Sequence, residues 1–284
     1  REALLGPLSE AVRQAGRLFD DRAMAGQIRQ KGPTDFVTSV DVSVQALLKA
    51  RLAELAPEVQ FMGEEQDNAG VDFSRPVWIL DPVDGTTNLI HGYRHSAVSL
   101  ALSDGGRVVL GLVYDPYADE LFTAVQGKGA RCNGAPIRTS GAQTLAESLV
   151  DVGTNPSDRP GADRTFRWMR AVYDRSHDIR RIGAASIALC YVAAGRVDGI
   201  VLNPGGYAHT SVAILDALRL CGVPAVEVLL TAPDEREPFR KIDVVSFGCQ
   251  GHFIGQGPQG YLHACAYLAQ LLRLDGSPQA HIVM

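Results

Sequence analysis

Residues 78 to 88 read Trp78-Ile79-Leu80-Asp81-Pro82-Val83-Asp84-Gly85-Thr86-Thr87-Asn88, an apolar run of strand type that ends on two carboxylates in a turn shaped by Pro82 and Gly85. A second acidic group, Gly63-Glu64-Glu65, follows another β-rich run at Val59 to Met62. Acids are thus collected at strand ends. A hard divalent cation such as Mg²⁺ takes several oxygen ligands at short distance, and Asp81, Asp84 and Glu64 supply that kind of donor. Gly85 and Thr86, opening a helix or turn with free N–H groups, offer an anion site beside it. Together these residues point to metal-assisted phosphoryl transfer to water. An isolated Asp-x-x-Asp-Gly is commonly no more than a turn, but the full string is far more specific.

Outward from this stretch, the periodicity organises the rest of the chain. Leu5, Leu8, Val12, Ala15 and Phe19 recur at helical spacing, as do Val44, Leu48, Leu52 and Leu55 behind a candidate cap at Asp41. Runs at Ser96 to Ser103, Val108 to Tyr114 and Leu121 to Val125 read as a meander, with Asp104-Gly105-Gly106 as a hairpin signal. After a Gly-rich turn at Gly127 to Gly134 come a strand at Ser148 to Val152 and helices at Arg164 to Tyr173 and Ala184 to Ala194. The pattern then becomes β-α-β: Ile200 to Leu202, Ser211 to Leu220, Ala225 to Leu230, and a last helix from Gln259 to Leu272. Such alternation predicts an α/β fold with helices covering sheets.

Composition narrows the partners. The 284 residues are 46% apolar and 21% charged, enough for one large domain or two ordinary ones. Against 32 acidic side chains stand 27 basic ones, without a basic stripe, so nucleic acid is not an expected partner. Apolar runs fall short of the roughly 18 to 20 residues that cross a bilayer, so no membrane partner is expected. The start of the chain shows no charged and then apolar leader, which makes cytoplasm the expected compartment. Five cysteines without paired spacing read as reduced packing residues. His91, His95, His252 and His263 lack ligand spacing, and Gly255, Gly257 and Gly260 lack the context of a dinucleotide site.

The acidic stretch, with Glu64-Glu65, resembles the signature of the inositol monophosphatase family of Mg²⁺-dependent, lithium-sensitive phosphatases. Lys31 to Asp41, Gly127 to Ile137 and Arg181 to Gly199 are similar to that family too, so the likeness covers about residues 1 to 199. It implies a layered αβαβα sandwich. It also implies that Glu64, Asp81, Asp84 and the carbonyl of Val83 hold the metal, Mg²⁺ or in its place Mn²⁺. Asp41 and Thr86 would orient the attacking water, and the N–H groups of Gly85 and Thr86 would hold the phosphate of a small phosphate ester.

The resemblance changes after Asp198. In that family a Trp-Asp pair follows, whose Asp completes a second metal site; the corresponding count from Asp198 arrives here at His209. A neutral imidazole suits Zn²⁺ or Mn²⁺ better than Mg²⁺. Val201-Leu202-Asn203-Pro204-Gly205-Gly206-Tyr207-Ala208-His209-Thr210, with Glu227, Arg236 to Arg240 and Gly255 to Tyr261, instead resembles type II 3-dehydroquinate dehydratase over about residues 199 to 273. That likeness implies half of a flavodoxin-like fold, with Asn203, His209 and Arg236 hydrogen-bonding the hydroxyls of a cyclic polyol acid. The general-acid His implied two residues after Glu227 is Leu229, and the lid that carries the base has no match.

The expected organisation is therefore an inositol monophosphatase-like region at 1–198 joined to a dehydroquinase-like segment at 199–284. The expected function is Mg²⁺-dependent hydrolysis of small polyol phosphates, impaired by the lost Asp. The alternatives are a dehydratase-like protein and a non-catalytic chimeric scaffold. Whether 199–284 completes the sandwich or forms its own lobe stays open, as does the homo-oligomer, a dimer by one resemblance and a dodecamer by the other.

Overall fold

The computed structural model describes residues 1–32, 34–142, 144–154, 159, 162–202, 225–229, 246, 249–256, 260, 263–264 and 267. The chain opens with helix α1 (Glu2–Gly16), a 3₁₀ turn at Arg17–Asp20 and the short α2 (Arg22–Ala25), then a hairpin of β1 (Ile28–Gly32) and β2 (Asp35–Thr38). Helix α3 (Ser39–Leu55) follows. Its N-cap is Thr38 rather than Asp41, which lies one turn in and completes a reciprocal capping box. The hairpin, which the sequence reading passed over, feeds this cap.

Seven strands form the first sheet: β3 (Gln60–Gly63), β4 (Val77–Asp84), β5 (Ala97–Asp104), β6 (Arg107–Asp115), β7 (Glu120–Val125), β8 (Gly129–Cys132) and β9 (Ala135–Pro136), paired in chain order. Between β4 and β5 lies helix α4 (Thr86–His91). The expected meander is present, and its two-residue hairpin places both Gly105 (φ 59°) and Gly106 (φ 71°) at positive φ. One face of the sheet carries Trp78, Leu80, Leu100, Leu110 and Leu112 against Leu8 and Val12 of α1 and Val44, Leu48 and Leu52 of α3, the main core of the described structure. Burial of this apolar surface fixes the two helices on that face.

The second sheet contains β10 (Leu149–Asp151), β11 (Asp178–Arg180), β12 (Gly199–Leu202), β13 (Ala225–Leu229) and β14 (Gly251–Ile254), in the order β11-β10-β12-β13-β14 with every pair parallel. Helix α5 (Ala162–Tyr173) packs Val172 against Val150 and Ile179. Helix α6 (Ala185–Ala193) touches β5 and β6 of the first sheet and β12 of the second, so it forms the layer between them. Ile187, Ala188, Leu189, Cys190 and Val192 are all buried, as a helix covered on both sides requires. Helical residues Ala264 and Tyr267 pack on Val226, Val228 and Phe253 beyond.

Position 199 thus falls at the start of a strand inside one sheet: β12 pairs with β10 on one side and β13 on the other. The described strands after residue 198, β12, β13 and β14, are part of the second sheet. Asp198 closes this join, its Oδ2 accepting the N–H of Leu149 at 2.6 Å. The helices expected at 211–220 and 259–272 lie wholly or largely outside the described residues. Among the described residues no helix is long and apolar enough to cross a membrane, and Cys132, Cys190 and Cys249 form no disulfide.

Candidate active site

In β4, Asp81 and Asp84 are an odd number of residues apart and in a regular strand would point to opposite faces. The pairing with β5 prevents this. Asp81 lies opposite Ser99 and Asp84 opposite Ala97, so three steps on one strand match two on the other, and this bulge turns both carboxylates to the same side. β3 runs parallel to β4 with Gly63 opposite Leu80, and the N–H of Glu64 donates to the Leu80 carbonyl at 3.2 Å. Glu64 therefore arrives beside Asp81, and their carboxyl groups hydrogen-bond.

Asp41 approaches from the first turn of α3 and is 2% exposed. Its Oδ2 accepts from Thr38 Oγ1 at 2.6 Å and from the Thr38 N–H at 2.8 Å, which fixes the carboxylate plane. Its Oδ1 lies 3.1 Å from Thr86 Oγ1, which is also 3.0 Å from the Val83 carbonyl oxygen. One hydroxyl proton serves only one of these acceptors at a time.

Gly85 turns the chain from β4 into α4 at φ 87°, and a Cβ there would stand 3.0 Å from the His95 carbonyl oxygen and 3.2 Å from the Ala184 Cβ. Glycine is required on both counts. Asn88 anchors the turn, its Nδ2 donating to His95 O at 2.7 Å and to Ile182 O at 3.0 Å. Ser186 donates both its N–H (2.7 Å) and its hydroxyl (2.5 Å) to Asp84 Oδ2.

The electrostatics follow from crowding. Burial and then the charges of Glu64 and Asp84 hold Asp81 well above the ordinary carboxylate range. Burial raises Glu64 as well, with Lys31 opposing from 3.6 Å, and burial raises Asp84 against the donors from Ser186. Lys31 is bound more closely to Glu65, at 2.5 Å. Among the described residues no three His, Cys, Asp or Glu side chains ring a common point as a closed metal cage; the carboxylates meet in pairs. Their chemistry nonetheless fits a hard divalent cation, because mutually repelling carboxylates gathered on one side are what such an ion neutralises.

The structure brings together Asp41, Glu64, Asp81, Val83, Asp84, Gly85 and Thr86. Asn203, His209 and Arg236 lie outside the described residues. Leu229, where the dehydratase resemblance implies an acid, is buried at the end of β13, and Glu227 in the same strand is fully buried with His252 Nδ1 3.7 Å from its Oε2. Sequence reasoning missed Lys31, Thr38 and Ser186, although all three lie in or beside stretches it singled out; Thr38 three residues before Asp41 is a capping signal that was there to be read. It also missed Asp151, at the carboxyl end of β10, which accepts the Ile182 N–H at 3.1 Å and which burial pushes up to about 6.

A family model, Inositol monophosphatase family, matches residues 2–210, and an inositol-1-monophosphatase from Rhizobium meliloti (strain 1021) is 37% identical over 203 residues, 70% of this chain and 76% of that protein. This chain belongs to the inositol monophosphatase family. Thermotoga maritima IMPase, 24% identical, shares the fold over 93% of this chain and 96% of its own at a TM-score of 0.68. An IMPase/NADP phosphatase complexed with Mg²⁺ and phosphate is 26% identical over 69% of this chain and 73% of its own, with a TM-score of 0.60. A second family model, Dehydroquinase class II, matches residues 184–269.

Proposed function

We propose that the protein is a Mg²⁺-dependent phosphomonoesterase of the inositol monophosphatase type that acts on small polyol phosphates. The observation that carries this reading is the bulge that turns Asp81 and Asp84 to one side, beside Glu64 and the Asp41–Thr86 pair. Glu64, Asp81, Asp84 and the Val83 carbonyl would hold Mg²⁺, or Mn²⁺ in its place. When bound there, the ion polarises the phosphate and makes water a better nucleophile. Family membership and the relative complexed with Mg²⁺ and phosphate support the metal.

The chain's own residues supply the rest. Thr86 Oγ1, donating to Asp41, keeps its lone pairs for a water proton, so Thr86 and Asp41 orient the attacking water and receive its proton. The N–H groups of Gly85 and Thr86 bind the phosphate at the start of α4. Lys31 offsets the negative charge at the rim.

The activity is impaired relative to the family, because His209 stands where the resemblance implies an Asp ligand, and the family match stops at residue 210. The match to Dehydroquinase class II supports a chimeric origin for the C-terminal segment, but Leu229 transfers no proton, so the segment is read as structural. The test is phosphate release from inositol 1-phosphate in Mg²⁺. Asp81→Asn is expected to abolish it, and hydrolysis that persists in that variant would overturn the reading. His209→Asp is expected to raise turnover in Mg²⁺.

A further inference from the structure

Asp84 is held from outside its own sheet. The turn before α6 reads Gly183-Ala184-Ala185-Ser186, and the N-cap residue Ala184 brings no side chain to the helix end. The Asp84 carboxylate takes that place from the first sheet. Its Oδ2 accepts both the N–H and the hydroxyl of Ser186, at 2.7 and 2.5 Å. Two donors from Ser186 on Oδ2, with the Ala185 N–H also bonded to the carboxylate, hold its orientation and occupy Oδ2 on the side of α6. A hydroxyl on a carboxylate is a charge-assisted bond, stronger than a neutral one and directional. Within Gly183 to Ser186, Ser186 brings the one side-chain hydroxyl.

We propose that Ser186 is a positioning residue that fixes which oxygen of Asp84 is presented to the divalent cation, and so sets metal affinity from the helix between the two sheets. This rests on the metal-dependent reading above. An outer hydrogen-bond partner of a metal-holding carboxylate commonly governs affinity by about 10- to 100-fold. A helix cap that merely stabilises would change unfolding and leave affinity unmoved.

The experiment is Mn²⁺ binding followed by electron paramagnetic resonance on the full chain, for wild type, Ser186→Ala, Ser186→Thr and Ser186→Cys, with phosphate release from inositol 1-phosphate measured across Mg²⁺ concentration. Ser186→Ala is expected to bind Mn²⁺ about 10- to 100-fold more weakly. Its half-saturating Mg²⁺ should rise by a similar factor, while turnover at saturating Mg²⁺ changes much less. Ser186→Thr, which keeps the hydroxyl, should restore affinity. Should the Ala variant not fold, the Cys variant, with a poor donor of similar size, is expected to show the same weakening. Equal Mn²⁺ affinity in wild type and in the folded variant overturns the inference while leaving the phosphatase reading intact. A wild type that neither binds Mn²⁺ nor releases phosphate overturns both.

Discussion

Asp151 is 6% exposed at the carboxyl end of β10, and burial raises its carboxyl to about 6 in the folded chain. A carboxyl raised on folding binds its proton more tightly in the native state, so its contribution to stability falls as pH rises from the unfolded value near 4 through about 6. Asp151→Asn keeps an oxygen for the Ile182 N–H and removes the buried charge. It is expected to stabilise the protein at pH 7.5 by at most about 3 kcal/mol and to be neutral near pH 3.5, as measured by urea unfolding at the two pH values. Equal stability of the two proteins at pH 7.5 would contradict this. Gly85→Ala acts in the other direction. At φ 87° with a carbonyl oxygen 3.0 Å from the new Cβ, the substitution is expected to destabilise by roughly 1–2 kcal/mol or more and to lower turnover, read by thermal unfolding and phosphate release. An unchanged unfolding midpoint would argue against the strained turn.

At the scale of elements, the acidic string was legible because its residue types are specific, whereas the device that makes it a site was not. Nothing in Asp81-Pro82-Val83-Asp84 states that the pairing with β5 will lose one step, since a bulge is a property of two strands in register. The cap of α3 was misread for a related reason. Asp41 and Thr38 are both capping residues, and only the reciprocal bonds between them decide that Thr38 caps while Asp41 reaches back. Thr38→Ala is therefore expected to lower stability by about 1 kcal/mol and also to reduce turnover, because Asp41 loses the hydroxyl donor and keeps only the N–H of residue 38 on Oδ2. Thr38→Ser should retain both. Loss of stability with unchanged turnover would mean that the cap has no part in orienting Asp41.

For the whole molecule, α/β layering followed from the alternation of periods, and the strands at Gly199–Leu202 and Ala225–Leu229 were legible before their placement was. Two family models match overlapping stretches, 2–210 and 184–269, and the overlap contains α6 and β12. The physical reason that the join holds is that β12 is a parallel strand between β10 and β13, and its neighbours ask only for a strand of the same direction and apolar faces. A chain ended at Asp198 would leave β10 without its partner β12, an open strand edge, and would remove the contact of α6 with β12. It is expected to aggregate or to unfold at lower temperature in size exclusion and thermal scans; a monomer with the full chain's midpoint would show that the first 198 residues stand alone. The acidic cluster is tested most directly by measuring phosphate released from inositol 1-phosphate with Mg²⁺, with Mn²⁺ and after chelation. Metal-dependent release that chelation removes and Asp81→Asn abolishes is the predicted result. No release with either metal, together with no shift of the unfolding midpoint by either metal, would contradict it.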